Sequence, residues 1–216
     1  MADENTSIRV IRKPESVSWE DISRCLYEAH AGNRERGIRM LHSHWPADQL
    51  KEYIGDTGMT FVIMDGDKLV GTGSFRERIG KKWYARGPYA FLCLDGIVPG
   101  YAGRGIYTLL CSEREKFIRE KGYAVMTLDT HERNFHMQQV AERQGFRKVN
   151  YFLVSTKDHY NVIMAKRLDG KPYPALYSWF RFNYAKMKVH FITGLLKIWR
   201  GRNESSSATG SHPAWA

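Results

Sequence analysis

The chain has 216 residues, a formal net charge of +10, 43% hydrophobic residues and 26% charged residues. This length suits one compact domain with a full core, and the composition excludes a mostly disordered or fibrous chain. Three cysteines without a CxxC pair and a charged N-terminus argue against a disulfide scaffold, a zinc ribbon and a signal peptide. We therefore expect a cytoplasmic protein.

The first part of the chain predicts one strand, two helices and a hairpin. Residues 7–13 alternate apolar and polar side chains before a proline, as a strand does. Helical spacing begins after Ser18, and Pro46 occupies the first-turn position of a second helix. Residues 59–77 contain two β-rich runs around the tight turn Asp65–Gly66–Asp67, which is typical of a hairpin.

The middle of the chain alternates strands and helices. After a polar insertion, residues 89–98 form an almost wholly apolar run, which indicates a central strand. Residues 104–121 have one apolar face and are followed by Gly122, as a helix would be. A strand, a helix closed by Gly145 and two more strands follow. The pattern predicts one α/β (α+β) domain over residues 1–170, with a mixed, mostly antiparallel central sheet flanked by helices.

The C-terminal part is basic. Residues 171–203 contain seven basic residues and no acidic one, and 176–200 repeat large apolar residues at helical spacing. This predicts a basic amphipathic helical extension, followed by a disordered tail at 204–216. Its partner stays open between the body or a second copy in a homodimer, a peripheral membrane surface, and an acidic protein. A nucleic acid is disfavoured because no recognition motif accompanies the charges. The apolar stripe consists of Phe180, Tyr184, Met187, Phe191, Leu195 and Ile198.

A glycine-rich turn is the most informative segment. Residues 97–107, IVPGYAGRGIY, connect the apolar strand to the next helix. Glycines allow backbone N–H groups to converge on an anion, and the helix N-terminus adds partial positive charge. Arg104 adds a full charge. A pyrophosphate fits this pattern, although many such turns carry glycine for purely steric reasons.

In its wider context the turn resembles the central motif of the GNAT superfamily of acyl-CoA-dependent N-acyltransferases. That motif runs V-x-P, then R/Q-x-x-G-x-G/A, a helix, a strand, an Asn and a helix closing in Gly-Phe. This chain has Ile97–Val98–Pro99, then residues 102–107, then Asn134 and Gly145–Phe146. Two positions depart from the motif, since Ala102 replaces Arg or Gln and Tyr107 replaces a small residue.

The resemblance implies an N-acetyltransferase that moves an acetyl group from acetyl-CoA to a primary amine of a small molecule or an envelope-related acceptor. It implies that the strand lines the pantetheine arm, that the turn holds the pyrophosphate, and that the Asn contacts the arm near the thiol. The backbone N–H of Val98 or a neighbour is the expected oxyanion donor. The cofactor-binding residues expected on this basis are Ile97, Val98, Ala102, Gly103, Arg104, Gly105, Ile106, Tyr107 and Asn134.

The transfer also requires a group that accepts a proton from the amine. Asp95 is the first candidate because it precedes Ile97 by two residues on the same strand face, and burial in an apolar run would raise its pKa. His131, just after the next strand, is the second candidate. A chain of water molecules is the alternative.

Other assignments stay open. The Tyr that the family often uses as general acid is Ala141 here, which leaves Tyr107, Tyr151 and Tyr160 as substitutes. The histidine pairs lack partners for a metal site. The competing interpretation is a degenerate GNAT-like domain that acts as a binding module, tethered by its basic tail to a membrane surface or acidic partner. Candidate acceptor-pocket residues are His30, Arg34, Arg36, Trp83 and Tyr84.

Overall fold

The computed structural model describes residues 7–38, 40–154 and 159–207, and for residue 41 and residues 197–207 it describes the backbone only. Seven strands form one sheet in the order β1-β2-β3-β4-β5-β7-β6. The strands are β1 (Ile8–Arg12), β2 (Met59–Asp65), β3 (Lys68–Lys82), β4 (Ala85–Ile97), β5 (Val125–His131), β6 (Arg147–Leu153) and β7 (Tyr160–Arg167). The helices are α1 (Trp19–Ala29), α2 (Ala31–Glu35), α3 (Ala47–Ile54), α4 (Ile106–Glu120), α5 (Phe135–Arg143) and α6 (Ala175–Ser207).

The predicted fold class is confirmed. Every neighbouring pair of strands is antiparallel except β4 and β5, which are parallel. One apolar cluster packs α1 and α3 against one sheet face, and a larger cluster joins α4, α5 and α6 to the other face. The sheet is therefore the middle layer, as expected for strands that are buried on both faces.

Local sequence signals fix the helix ends. Ser18 caps α1 through a capping box with Asp21, whose backbone N–H donates to the serine hydroxyl at 3.1 Å. Gly145 follows α5 with a φ of 88°, a conformation that glycine adopts without steric cost. The short helix α2 is an addition that the sequence pattern did not predict.

The polar insertion that the sequence places between two strands is in fact a long hairpin. β3 continues to Lys82, and β4 begins at Ala85 after the two-residue turn of Trp83 and Tyr84. The turn is anchored because the Tyr173 hydroxyl donates to the Tyr84 carbonyl and the Trp83 ring packs edge-on against Tyr173. Distant aromatic contacts, which have no local signature, thus hold a glycine- and lysine-rich stretch in β structure.

Helix α6 packs against β6, the strand at one edge of the sheet. Its inner face packs Phe182, Ala185 and Val189 against the larger core, and the Tyr160 hydroxyl lies 3.3 Å from that of Thr193. The helix extends to Ser207, four residues into the segment predicted to be disordered, and the rest of that segment lies outside the described residues. In the described part of the chain, no helix is long and apolar enough to cross a membrane.

The apolar stripe predicted for α6 faces solvent wherever its side chains are described. The helix instead buries a second apolar face, that of Phe182, Ala185 and Val189. We call the exposed set the outer stripe. It consists of Leu176, Phe180, Tyr184, Met187, Phe191 and Leu195, each about half exposed or more.

Candidate active site

Strands β4 and β5 separate in the middle of the sheet. Their ladder has three residue pairs and ends at Leu92 and Leu128. Just beyond, Leu94 has a φ of 55° and two residues of β4 lie opposite Gly73 of β3, which is a β-bulge. A cavity of about 830 Å³ lies at this separation and continues to the glycine-rich turn.

A buried ion pair holds the bulge. The guanidinium of Arg114, from α4, donates to both carboxylate oxygens of Asp95, with Nη2 to Oδ2 at 2.9 Å, and to the Ser74 carbonyl at 3.1 Å. The Tyr107 hydroxyl donates to the same carboxylate at 2.8 Å. A Cβ on Gly73 would lie 3.0 Å from both partners, so glycine leaves the room in which the pair meets.

Tyr107 stands where the motif has a small residue, and its ring leaves the glycine-rich turn open. Its ring points away from the glycine-rich turn and into the protein, towards Asp95. Burial raises the pKa of its hydroxyl well above 10, so the group stays a donor. The ring therefore does not fill the turn.

The turn itself presents free backbone donors. Within this fully described segment, the N–H groups of residues 103–107 donate to no protein acceptor. Gly103 and Gly105 have φ values of 79° and 75°, which glycine tolerates, and a Cβ on either would meet open space. Ala102, expected in this set, donates its N–H to the Pro99 carbonyl at 3.1 Å. Five consecutive donors at a helix N-terminus form a fitting seat for a diphosphate.

Positive charge surrounds the turn. The Arg104 guanidinium and the Lys68 ammonium lie 5.4 Å and 5.5 Å from the centre of the Tyr101 ring. The Tyr101 hydroxyl donates to Asp65 at 2.8 Å and so fixes the ring. Both cations favour an anion at this end of the cavity.

Of the two expected oxyanion donors, Val98 and a neighbour, Val98 is excluded. The N–H of Val98 donates to the Val70 carbonyl at 2.9 Å, so it is not available, and Val98 does not line the cavity. Because successive N–H groups of a strand point to opposite edges, the N–H of Ile97 points away from β3, into the separation from β5. Ile97 lines the cavity.

Asn134 and His131 both line the cavity with partners of their own. The Asn134 side chain accepts from Met137 N–H at 3.4 Å, as the cap of α5, and donates to Thr130 Oγ1 at 3.2 Å. His131 Nδ1 accepts from Arg133 N–H at 3.0 Å. Burial lowers the pKa of His131, so its neutral ring carries the proton on Nε2 and offers a donor there.

The substitute acids separate clearly. Tyr107 lines the cavity, whereas Tyr151 and Tyr160 stack on each other beneath α6 and do not line it. Ala141 is buried in the core. Of the predicted pocket residues, His30 and Arg36 line the cavity, and Arg34, Trp83 and Tyr84 do not.

Sequence reasoning missed Asp129, which lines the cavity just past the end of the β4–β5 ladder. Burial raises the pKa of its carboxyl group. The signal was present, since Asp129 interrupts an apolar strand run in the same way as Asp95. It also missed Asn161. This residue lies on β7 next to β5, and no local sequence pattern predicts that pairing. In the part of the chain that the structure describes, no cluster of three or more His, Cys, Asp or Glu residues could hold a metal ion.

A sheet that opens between two parallel strands, beside a turn of free amides, defines an acyl-CoA-binding type of fold. The model of the Acetyltransferase (GNAT) family matches residues 19–146, and the chain belongs to this family. No curated protein sequence matches it.

Solved structures share the fold at low sequence identity. The ribosomal-protein-S18-alanine N-acetyltransferase of Escherichia coli is 14% identical, with 74% of this chain and 94% of that chain covered and a TM-score of 0.55. An aminoglycoside 6'-N-acetyltransferase complexed with coenzyme A is 15% identical, with 76% of this chain and 99% of that chain covered and a TM-score of 0.56. NAA60 of Arabidopsis thaliana in complex with acetyl-CoA is 16% identical, with 76% of this chain and 99% of that chain covered and a TM-score of 0.57.

Proposed function

We propose that this protein transfers an acetyl group from acetyl-CoA to a primary amine of a small molecule or an envelope-related acceptor. The observation that carries the proposal is the set of five free backbone N–H groups at residues 103–107, four of whose residues line the cavity where β4 and β5 separate. Family membership and neighbours solved with coenzyme A or acetyl-CoA support it.

The residues divide the binding task along the cavity. Residues 103–107 hold the diphosphate, and the charge of Arg104 assists them. Ile97 lies along the pantetheine arm and directs its N–H towards the carbonyl oxygen on which negative charge develops. When bound, acetyl-CoA supplies an activated thioester carbonyl. Asn134 keeps α5 and the far wall of the cavity in place.

The two bases expected from the sequence take other roles in this proposal. Both oxygens of Asp95 accept from Arg114, so we assign Asp95 to holding the bulge. His131 offers an N–H from Nε2 and so serves as a hydrogen-bond donor within the cavity. Of the three substitute acids only Tyr107 lines the cavity, and because its hydroxyl donates to Asp95 we assign it to holding the bulge as well.

Calorimetric titration with coenzyme A tests the proposal. We expect wild-type protein to bind, and Gly105→Val to lose at least tenfold in affinity, because the branched side chain fills the anion seat and strains a positive φ. Gly170→Val is the matched control, since Gly170 has a φ of 77° outside the cavity. Absence of wild-type binding at millimolar coenzyme A, or equal effects of both variants, would contradict it.

We also propose that α6 rests on an anionic membrane surface through its outer stripe. The stripe combines large aliphatic and aromatic residues, and the exposed Lys188 lies beside it on the helix. Residues 171–203 contain no acidic residue to oppose this contact. Contiguous apolar surface of this kind marks a contact site in soluble proteins.

A further inference from the structure

Asp129 and Asn161 lie side by side on one face of the sheet. Asp129 pairs with Ile163 across the β5–β7 ladder, and Asn161 is two residues from Ile163 along β7. Side chains of paired residues, and of residues two apart, share a face. Phe91, whose β5 partner Thr127 precedes Asp129 by two, packs in the cluster of α1 and α3, so this is the face that those helices cover.

Asp129 differs from Asp95 in what surrounds it. Its Oδ2 accepts from Asn161 Nδ2 at 3.2 Å, and it has no ion-pair partner among the described residues. Burial raises the pKa of Asp129, and the hydrogen bond from Asn161 and the charge of Arg78 only partly oppose this. A buried carboxylate of this kind, beside a cavity, is suited to accept a proton.

Asn161 carries an unused acceptor. Its Oδ1 is buried and has no hydrogen-bond partner in the described part of the chain. The amide cannot reverse, because its nitrogen donates to Asp129 and an oxygen there would meet the carboxylate. A buried polar atom without a partner costs about 1–3 kcal/mol, so the position favours a ligand that brings an N–H group.

Aromatic rings form part of the cavity wall, and aromatic faces attract cations. The rings of His42, Trp45 and Tyr53 line the cavity and pack together, with centroids 4.4 to 5.1 Å apart. The charged and titratable groups that line the cavity with Asp129 are Tyr53 of α3, Arg78 of β3, His30 and Arg36 beside α2, His42, Cys93 and Asp95 of β4, Tyr101, Tyr107 of α4, His131 of β5, His136 and Arg143 of α5, and His159 before β7. The Arg78 guanidinium lies over the Phe91 ring at 3.5 Å and donates to the Tyr53 hydroxyl at 3.3 Å.

We propose that Asp129 and Asn161 form the seat of the acceptor's primary ammonium group and that Asp129 is the general base. The inference rests on the proposed function. Asp129 takes one proton from the ammonium, and the amine nitrogen then forms a bond to the acetyl carbonyl carbon. The carbon–sulfur bond breaks with its electron pair on sulfur, which takes the second surplus proton of the nitrogen. An amide and a thiol result, and Asp129 returns its proton to water.

Kinetics with acetyl-CoA and n-butylamine, followed by thiol release, test the seat. We expect Asp129→Asn to lower kcat about a hundredfold and to abolish the acid limb of the pH–rate profile, because a neutral amide takes no proton. Asn161→Leu should raise KM for the amine more than it lowers kcat. Asp56→Asn, an exposed control outside the cavity, should change neither. An unchanged profile in Asp129→Asn overturns the assignment.

A binding measurement decides the matter even where n-butylamine is a poor acceptor. In protein saturated with coenzyme A, carboxyl carbon NMR should show n-butylammonium shifting the Asp129 resonance and lowering its pKa, since a cation favours the charged form. Lack of any response overturns the seat. Loss of coenzyme A binding in wild-type protein would instead overturn the proposed function, so the two failures are distinguishable.

Discussion

His30 is a buried titratable residue that lines the cavity beside β4. Its Nδ1 lies 3.0 Å from Asn33 Nδ2, and a Cβ on Gly96 would lie 3.8 Å from its Nε2. Burial lowers the pKa of His30 to about 4, against a smaller opposing effect of Asp95. The ring is therefore neutral at pH 7 and adds no charge to the cavity.

This pKa makes the stability of the protein depend on pH. Between pH 6.5 and about 4 the unfolded chain binds a proton at His30 that the folded chain does not, so the free energy of unfolding decreases as the pH falls through that window. The full effect is roughly 3 kcal/mol. Between pH 6.5 and about 4 we expect the free energy of unfolding of His30→Gln to fall by about 3 kcal/mol less than that of wild type. Urea unfolding at a series of pH values measures this difference.

His44→Gln provides the control. His44 is exposed, so this variant removes a histidine without changing a buried position. The control should follow wild type at every pH. If the free energy of unfolding depends on pH in the same way in wild type and in His30→Gln, the acid sensitivity does not come from His30.

Site residues were predictable where chemistry follows local order. The glycine-rich turn, Ile97 and Asn134 follow from spacing, and all of them reach the cavity. Asp95 and Asp129 carry the same sequence signal, a carboxylate within an apolar strand, and only tertiary contacts distinguish them. Arg114 arrives from a helix nineteen residues away and Asn161 from a neighbouring strand, so no local pattern assigns the partners.

The bulge joins three elements through one carboxylate. Asp95 of β4 lies between Arg114 of α4 and the open position of Gly73 on β3. Removing one member of a buried ion pair leaves the other charge unpaired, which typically costs about 3–5 kcal/mol. We expect Asp95→Asn to lower the free energy of unfolding by about 3 kcal/mol in denaturant titrations at neutral pH.

Two further measurements separate holding the bulge from acting as a base. The pH–rate profile of Asp95→Asn should keep its acid limb, because Asp129 is unaltered. The double variant Asp95→Leu with Arg114→Met should recover part of the stability, since apolar pairs often replace buried ion pairs at little cost. A stable Asp95→Asn protein with a lost acid limb would restore Asp95 as the base.

Elements were predictable where periodicity is strong. The order of strands and helices from β1 to β7, apart from the short α2, follows from apolar spacing and from caps such as Ser18. The β3–β4 hairpin was not predictable, because its tip depends on Tyr173 and Tyr177, about ninety residues further along the chain. Nor was the side that α6 buries, because both sides of this helix are apolar.

At the scale of the whole molecule, α6 covers part of the core with its inner face and presents the outer stripe to solvent. Deleting the helix would remove both at once. Its inner face covers Tyr151 and Tyr160, so removal of the helix would expose core surface and destabilise the domain. The membrane proposal therefore needs substitutions on the outer stripe in the full chain.

Co-sedimentation with lipid vesicles provides that test. We expect wild-type protein to bind vesicles that contain phosphatidylglycerol more tightly than vesicles of phosphatidylcholine alone, because Lys188 lies beside the stripe and residues 171–203 contain no acidic residue. Phe180→Ser combined with Phe191→Ser should weaken binding at least tenfold, since each ring loses about 1.5–3 kcal/mol of burial. Ile79→Ser, at an exposed apolar residue of the hairpin, is the control. A wild-type dimer that ignores vesicles would point to a second copy as the partner.

Gly73 limits how this scaffold can be diversified. Because Gly73 has no side chain, Arg114, Asp95 and Leu110 can meet in one small volume. A Cβ at this position would lie only 2.6 Å from the Leu110 side chain. Even alanine at position 73 would push apart the Asp95 and Arg114 side chains that hold the bulge beside the cavity. In a randomised library selected for folding, codon 73 should return to glycine, whereas the rim of the cleft should accept many residues. Directed evolution of acceptor preference is therefore best aimed at the rim.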